Sequence, residues 1–488
     1  TVYNPPTTIS KSITISGLAI TNGATYYLRW TFTGVGGSTN GQAIGIDNFS
    51  VLASSTPVTL SNSTDYFRSK QNGDWGLAST WESSADGNSW INSTLVPTNV
   101  ANEITIRNGH TVSIVNTASA DQLTIESGGV LAHADGVTFT LNDGTGDDMI
   151  INGTYAVSGD APAGLGNYVV NNGGIIRADN NNGAADDIAF SSNTRVLFKT
   201  GSVFEWNTNQ AFGSSSVVYF PNNFEKPIFR VSSSVGPLGA NLNTTINGLL
   251  EVNGTLRLEN AGLKIFRDGI IGSGSLIQEA TSGAFQITGT DAELGGTGTI
   301  TLNTGGLQIT GTANVTMSSD KIINGSTYDF TVNNGGRFNC STYVLSGTAD
   351  FILASGGTLG IGSPDGITSA AAGNIQTATR TYSSAANYIY NAGSNQVTGN
   401  FTTTPAANTV NALTVANTGS AGNNTVTLTV NNTTVSSLYL NSGFFAAGTN
   451  QTLRIAAGGN IYGNGANNPN NATAGNIEFL GNGTTQGF

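Results

Sequence analysis

Charge is what this chain most lacks. Of its 488 residues, 17 are Lys or Arg and 29 are Asp or Glu, which leaves a formal net charge of −12. No basic cluster occurs, so neither nucleic acid nor an anionic membrane surface is an expected partner. Cysteine is confined to Cys340, which excludes a disulfide within the chain. The alternation Phe338, Cys340 places that thiol toward an interior, as a small apolar residue. Two histidines and one cysteine cannot assemble a zinc site. No apolar run is long enough to span a bilayer, and no membrane insertion is expected. Long helices draw on Glu, Lys and Arg, and these are too scarce to build them.

What the chain has is glycine, 65 of them, with abundant Asn, Ser and Thr. These suit turns and half-exposed strands. The apolar content of 38% is modest but patterned, which argues against disorder. One unit recurs: an alternating strand, a Gly-containing turn, and a second alternating strand. It reads Leu-Thr-Ile-Glu-Ser-Gly-Gly-Val-Leu-Ala-His from Leu123, and Tyr-Val-Val-Asn-Asn-Gly-Gly-Ile-Ile-Arg-Ala from Tyr168. Further copies start at Phe330, Phe351 and Leu453, with looser ones at Val196, Leu250 and Ile300. Each unit has an apolar face that only stacking on a neighbour can bury. The expected fold is therefore all-β: a right-handed parallel β-helix (β-solenoid) with three short strands per coil, preceded by a partial antiparallel β-sandwich.

Four regions follow. Residues 1–53 hold strand-like stretches at Ser12–Ile15, Tyr26–Phe32 and Ile44–Val51 with Gly/Asn/Ser turns between them. They resemble the last part of a jelly-roll module of the carbohydrate-binding or adhesive kind, on the closing strand Gly45-Ile46-Asp47-Asn48-Phe49-Ser50-Val51. Residues 54–65 form a polar linker. Residues 66–103 concentrate Trp75, Trp81 and Trp90, three of the five tryptophans, and read as an N-terminal cap over the first coil. A sugar-stacking site is the other reading of those rings. Residues 104–488 are the solenoid. Gly335 and Gly356 lie 21 residues apart, one coil, whereas Gly128 and Gly173 lie 45 apart and leave room for an extra coil or a loop around 143–163. The aromatic tract 212–247 breaks the pattern most and reads as a projecting insertion or a pair of longer strands. The first residues, Thr-Val-Tyr-Asn-Pro-Pro, open inside a strand-like pattern, and the last lack a polar cap. The expectation is a piece of a longer polypeptide that continues beyond Phe488.

Few residues carry candidate chemistry. Asp143, Asp147 and Asp148, and the pair Asp186-Asp187, are possible oxygen ligands for calcium, with Arg177 as the basic group a lyase site would want beside the metal. Solvated turn aspartates are the favoured reading. Hydrolysis would need two carboxylates facing each other across a groove. His110 is expected to support a turn beside the tryptophans, and His133 to sit at an exposed or stacked position; neither has a nucleophile at a catalytic spacing. Asparagine at repeated turn positions suits the left-handed conformation and amide ladders along the stack. Of Tyr382, Tyr388, Tyr390 and Phe444-Phe445, alternation makes half core stacks, and the outward ones are the positions expected to stack on sugar faces.

One resemblance spans roughly residues 66–488. Asp74-Trp75, Thr80-Trp81, Glu103-Ile104-Thr105-Ile106 and Asn108-Gly109-His110-Thr111-Val112 are similar to the entry motif of large surface proteins of Bacteroidetes. So are Leu353 to Ser363, Gly373-Asn374-Ile375-Gln376-Thr377, Ala386 to Asn391 and Asn395-Gln396-Val397-Thr398-Gly399 to their repeats. The resemblance implies type IX secretion, an extracellular or cell-surface location, and an adhesive or matrix role with glycans, or other segments of the same surface protein, as partners. No sorting domain of that route is visible in the sequence. The expected function is a non-catalytic structural or adhesive segment with no catalytic, cofactor-binding or metal residues assigned. A polysaccharide-active β-helix enzyme and a self-assembling filament subunit are the alternatives.

Overall fold

The computed structural model describes residues 60–159, 161–179, 195–209, 217–221, 225–235, 243–259, 261–325, 329–369, 371–400, 408–463 and 475–481, together with 11–13, 15, 25–31, 46 and 49–51. The chain winds as a parallel β-solenoid of about 14 turns, and its first strands add a small antiparallel sheet. Tyr66–Ser69 pairs antiparallel with Trp81–Ser84 and parallel with Glu103–Ile106, so it joins the entry segment to the first coil. Most of the strands expected in 1–53 lie outside the described residues. Those that are described carry no assigned strand, and Trp30 packs edge-on against Phe49 at 4.9 Å.

Three faces make each coil. The first runs through Leu123–Ile125, Met149–Ile151 and Tyr168–Val170 to Val196–Phe198, then restarts at Val217–Tyr219 and continues to Arg380–Tyr382. The third is split into three ladders. The second alone is unbroken: its parallel pairing runs from Gly73–Asp74 through Val130–His133, Ile175–Ala178 and Asn314–Met317 to Thr452–Gly463 and Asn476–Phe479. It is the spine of the molecule.

Alternation builds the core. In strand after strand every second residue is buried, as with Ile104 and Ile106, Leu123 and Ile125, or Phe351 and Leu353. In-register stacking then sets like on like, as where Phe330 lies 5.9 Å from Phe351, and Tyr382, in register with Leu353, packs diagonally on Phe351 at 5.9 Å. The space among Leu359, Ile361, Ile367 and Tyr382 is too narrow to admit water. Cys340 is buried within this core, as expected, and burial pushes its thiol pKa up.

The glycine pair of the repeat marks the corner between first and second faces, and its two members do different work. Gly173 has φ +79°, a left-handed backbone that other L-residues adopt at a cost. Gly174 closes the turn, its N–H donating to Asn171 O at 2.8 Å. A Cβ on Gly174 would strike the carbonyl oxygen of Ile151 in the coil below, whereas one on Gly173 would meet nothing within 4 Å. The same division holds at Gly458 and Gly459, whereas at Gly335 an added Cβ would itself come within 2.6 Å of Gly311 O. The long gap between Gly128 and Gly173 contains a complete extra coil, Met149–Ile151 and Thr154–Val157, turned by Asn152-Gly153.

The aromatic tract corrects the expectation for 212–247. Its described residues neither project nor form long strands. Val217–Tyr219 and Ile228–Val231 are ordinary short rungs, and Tyr219, Phe220 and Phe229 are buried. The reason is filling: the first sheet is interrupted between Phe198 and Val217, and Phe220 packs at 4.9 Å on Phe198 while Tyr219 packs at 4.6 Å on Phe229. Phe224 and Pro237 lie outside the described residues. At the entry, Trp75 and Trp81 are buried and perpendicular, with centroids 5.0 Å apart. The Trp81 indole donates to Trp75 O at 2.9 Å, and that of Trp75 to Pro97 O at 3.1 Å. Neither ring is open to a sugar. Trp90 is half-buried under the Arg68 guanidinium, 3.9 Å from its ring centre.

Gly173→Ala is expected to cost about 1–2 kcal/mol, the penalty of a left-handed L-residue, and Gly173→Asn less. Gly174→Ala is expected to cost more than either, because the coil below must move. Urea unfolding midpoints test the order; equal losses at the two glycines would refute the division of roles.

Candidate functional site

The acidic loop was the first candidate for chemistry. It joins the third-face strand Phe139–Leu141 to the first-face strand Met149–Ile151. Asp143 and Asp147 are exposed, whereas Asp148 is fully buried. The Asp148 carboxylate accepts the backbone N–H of Gly144 and of Asn167, each at 2.8 Å, so it ties its own loop to the next coil. Asp121 faces it from the preceding coil. Burial raises the Asp121 carboxyl above the usual carboxylate range, and the Asp148 and Asp143 charges push the same way.

Arg177, the expected basic partner, stands elsewhere. It projects from the second face and is held by Asp179, its Nε 2.9 Å from both carboxylate oxygens. The acidic loop borders the first and third faces, so the two halves of a lyase-type site do not converge. Asp186 and Asp187 lie outside the described residues. Among the described residues no three His, Cys, Asp or Glu side chains come together as a metal site.

Both histidines are joined to the framework. His110 Nδ1 lies 2.9 Å from Ser69 Oγ and 3.1 Å from Ser69 O, beside the entry strand as expected. His133 takes the second of its two expected places: it is stacked, and buried, parallel to Tyr155 at 6.2 Å. Its Nε2 lies 2.7 Å from Val137 O and its Nδ1 3.0 Å from Tyr155 Oη. A carbonyl can only accept, so Nε2 carries a proton, and in the neutral ring Nδ1 then accepts the phenol's. Asparagine ladders are present: Asn171 Nδ2 donates to Asn152 Oδ1 and Asn411 Nδ2 to Asn387 Oδ1, both at 2.8 Å.

The aromatic expectation needs correcting. Tyr382, Tyr388 and Tyr390 all point inward, and so does Phe445; only Phe444 is half-exposed. Tyr388 and Tyr390 are two residues apart on one strand and so share a side, and the buried Tyr390 hydroxyl donates to Thr398 O at 2.7 Å. The outward pair is one not singled out from the sequence. Tyr439 and Tyr462 occupy one register position on successive coils of the second face, their rings 4.8 Å apart and within 13° of parallel. Leu438 and Leu440 point inward on either side of Tyr439, a flanking pattern that already marked it as outward.

These rings sit where the second face changes character. Its earlier coils carry a charge ladder, Arg177, Glu205, Arg230 and Glu251 in register, with Arg230 Nε 2.8 Å from Glu251. Glu293 and Arg337 follow. From Thr358 onward the outward columns are uncharged. One reads Gly360, Ile389, Thr414, Tyr439, Tyr462, and its neighbour Asn387, Ala412, Ser437, Asn460. Arg454 and Glu478 pair with each other at 2.8 Å on the part of the strands before the corner residues 456–459.

The acidic loop yields a pH-dependent prediction. Because Asp121 is raised in the folded state, its contribution to stability is full below the unfolded carboxylate value and is lost as pH rises through the folded one. Asp121→Asn is expected to raise the thermal midpoint at pH 7 and to change it little at pH 3; an equal shift at both would contradict this. No family model, no curated protein and no solved structure matches this chain.

Proposed function

We propose that this chain is a non-catalytic structural and adhesive segment of a secreted bacterial surface protein, a stiff solenoid stalk carrying a weakly binding outer face. The observation that carries the reading is the second sheet, whose strand-to-strand pairing passes from Gly73 to Gly463 without a missing rung, with register shifts only at Val415/Ala416 and Val435/Ser437 among the described strands. A stack in which each coil is hydrogen-bonded to the next, around a dry interior, resists bending and has no hinge along that face. The motif resemblance of residues 66–488 to Bacteroidetes surface proteins supports an extracellular setting and the type IX route. The charge ladder supports a spacer role as well, since Arg and Glu alternate from coil to coil and neutralise one another.

The stalk reading predicts a straight solenoid body in electron micrographs. With about 14 turns at ~4.8 Å per turn its length comes to roughly 67 Å. Particles bent at varied angles within that length would count against it. Incubation with polygalacturonate is expected to release no unsaturated products; turnover that disappears in Asp147→Ala would replace the stalk by an enzyme.

A further inference from the structure

We propose that the uncharged end of the second face, centred on Tyr439 and Tyr462, is the contact surface for a neutral polysaccharide lying along the stacking axis. This deepens the adhesive reading above and rests on it. Three observations converge on this patch.

The first is charge. Past the corner of each coil the sheet carries Arg or Glu at outward positions on many coils as far as Arg337, and then none from Thr358 to Tyr462; Arg454 stands before the corner on the strand Thr452–Gly463 and is paired with Glu478. An acidic polymer would find no cation there to meet it, and the net charge of −12 opposes its approach. A protein partner of the usual kind would want a contiguous apolar centre, and Ile389 is the one large aliphatic in these two columns. What remains is a partner without charge.

The second is hydrogen bonding. The outward hydroxyls of Thr414, Ser437, Tyr439 and Tyr462 have no hydrogen-bond partner among the described residues. Some outward hydroxyls of the stack are partnered, as Ser275 Oγ and Thr299 Oγ1 at 3.3 Å, and others such as Thr316 and Thr331 are open too; what distinguishes this patch is that four open ones lie in two adjacent columns beside the aromatic pair. Each free hydroxyl is both donor and acceptor, as each hydroxyl of a sugar is.

The third is the aromatic pair. Stacking takes up one face of each ring and sets the two phenol groups one coil apart on the same column. Tyr462 is 46% exposed, an apolar ring with a polar tip, the combination that suits a pyranose, with its C–H face and its rim of hydroxyls. The columns repeat with the spacing between strands, so weak contacts recur along the axis and add up for a polymer as they would not for a monosaccharide.

The test is affinity electrophoresis of the full chain in gels containing a soluble β-glucan, an α-glucan, a mannan or polygalacturonate. Retardation by at least one neutral polymer and none by polygalacturonate is expected. Tyr439→Ala/Tyr462→Ala should weaken binding by about tenfold or more, and Tyr439→Phe/Tyr462→Phe by less. Ser437→Asp places a charge in the neighbouring column without disturbing the core, and it should also weaken binding; this variant keeps the test decisive if the alanine pair fails to fold. Arg230→Ala on the charged part of the same sheet should bind as the parent does. No retardation by any neutral polymer, stronger retardation by polygalacturonate, or binding indifferent to both Tyr462→Ala and Ser437→Asp would overturn the assignment. A straight stack that binds no neutral glycan removes only this inference, whereas cleavage of the polymer removes the stalk reading beneath it.

Discussion

Everything in this protein depends on how closely one coil can lie on the next. Parallel strands pair at about 4.8 Å, and at each corner the chain must turn without lifting the coil off its neighbour. Glycine meets both demands, one residue supplying the left-handed turn and the next supplying the missing Cβ. At Gly336 an added Cβ would come within 2.9 Å of Ile309 O, and at Gly357 within 2.7 Å of Val332 O. A corner with a side chain in that place would separate the carbonyls and N–H groups that carry the ladder.

The same closeness accounts for the scarcity of charge. An outward residue on one coil lies directly over its counterpart on the next, so like charges would stack at strand spacing and repel. The molecule accepts charge on its spine where the sign alternates, as from Arg177 to Glu251, or where a partner is adjacent, as with Arg177 and Asp179. Elsewhere Thr, Ser and Asn fill the columns, and amides such as Asn152 and Asn171 bond across coils. Asp121 with Asp148, and Asp329 with Asp350, are exceptions, carboxylates on neighbouring coils, and there burial and repulsion raise the pKa of Asp121 and of Asp329.

Stiffness and stickiness thus have one origin. The ladder that holds coil to coil also sets the outward side chains in straight columns, and a column of uncharged hydroxyl, amide and aromatic groups is a repeating surface. Asp148, the histidines and Arg177 are already engaged in holding one part of the backbone to another, or to a neighbouring side chain. Their bonds serve the stack.

How much was legible in advance follows from the range of the interactions concerned. Corner glycines and alternating strands are local, so the coil and its parallel stacking could be read from residue order, which left the gap between Gly128 and Gly173 open between an extra coil and a loop. The buried thiol of Cys340 and the outward place of Tyr439 between two leucines belong with them, although the second was passed over. Alternation fails where both sides of a strand are apolar. Asn387-Tyr388-Ile389-Tyr390 does not say whether Tyr or Ile faces in, and only the packing of Tyr388 in the aromatic column settles it. Residue order is silent, too, on what lies across a coil. That Phe220 fills the break in the first sheet, that Asp121 meets Asp148, that Arg177 stands on another face, and that Tyr462 lies flat on Tyr439 are matters of three-dimensional register. The chain by itself determined the repeat, because each turn needs only its own few residues. The tertiary structure decided which repeats touch, because loops of unequal length intervene and only the stacked backbone sets their alignment.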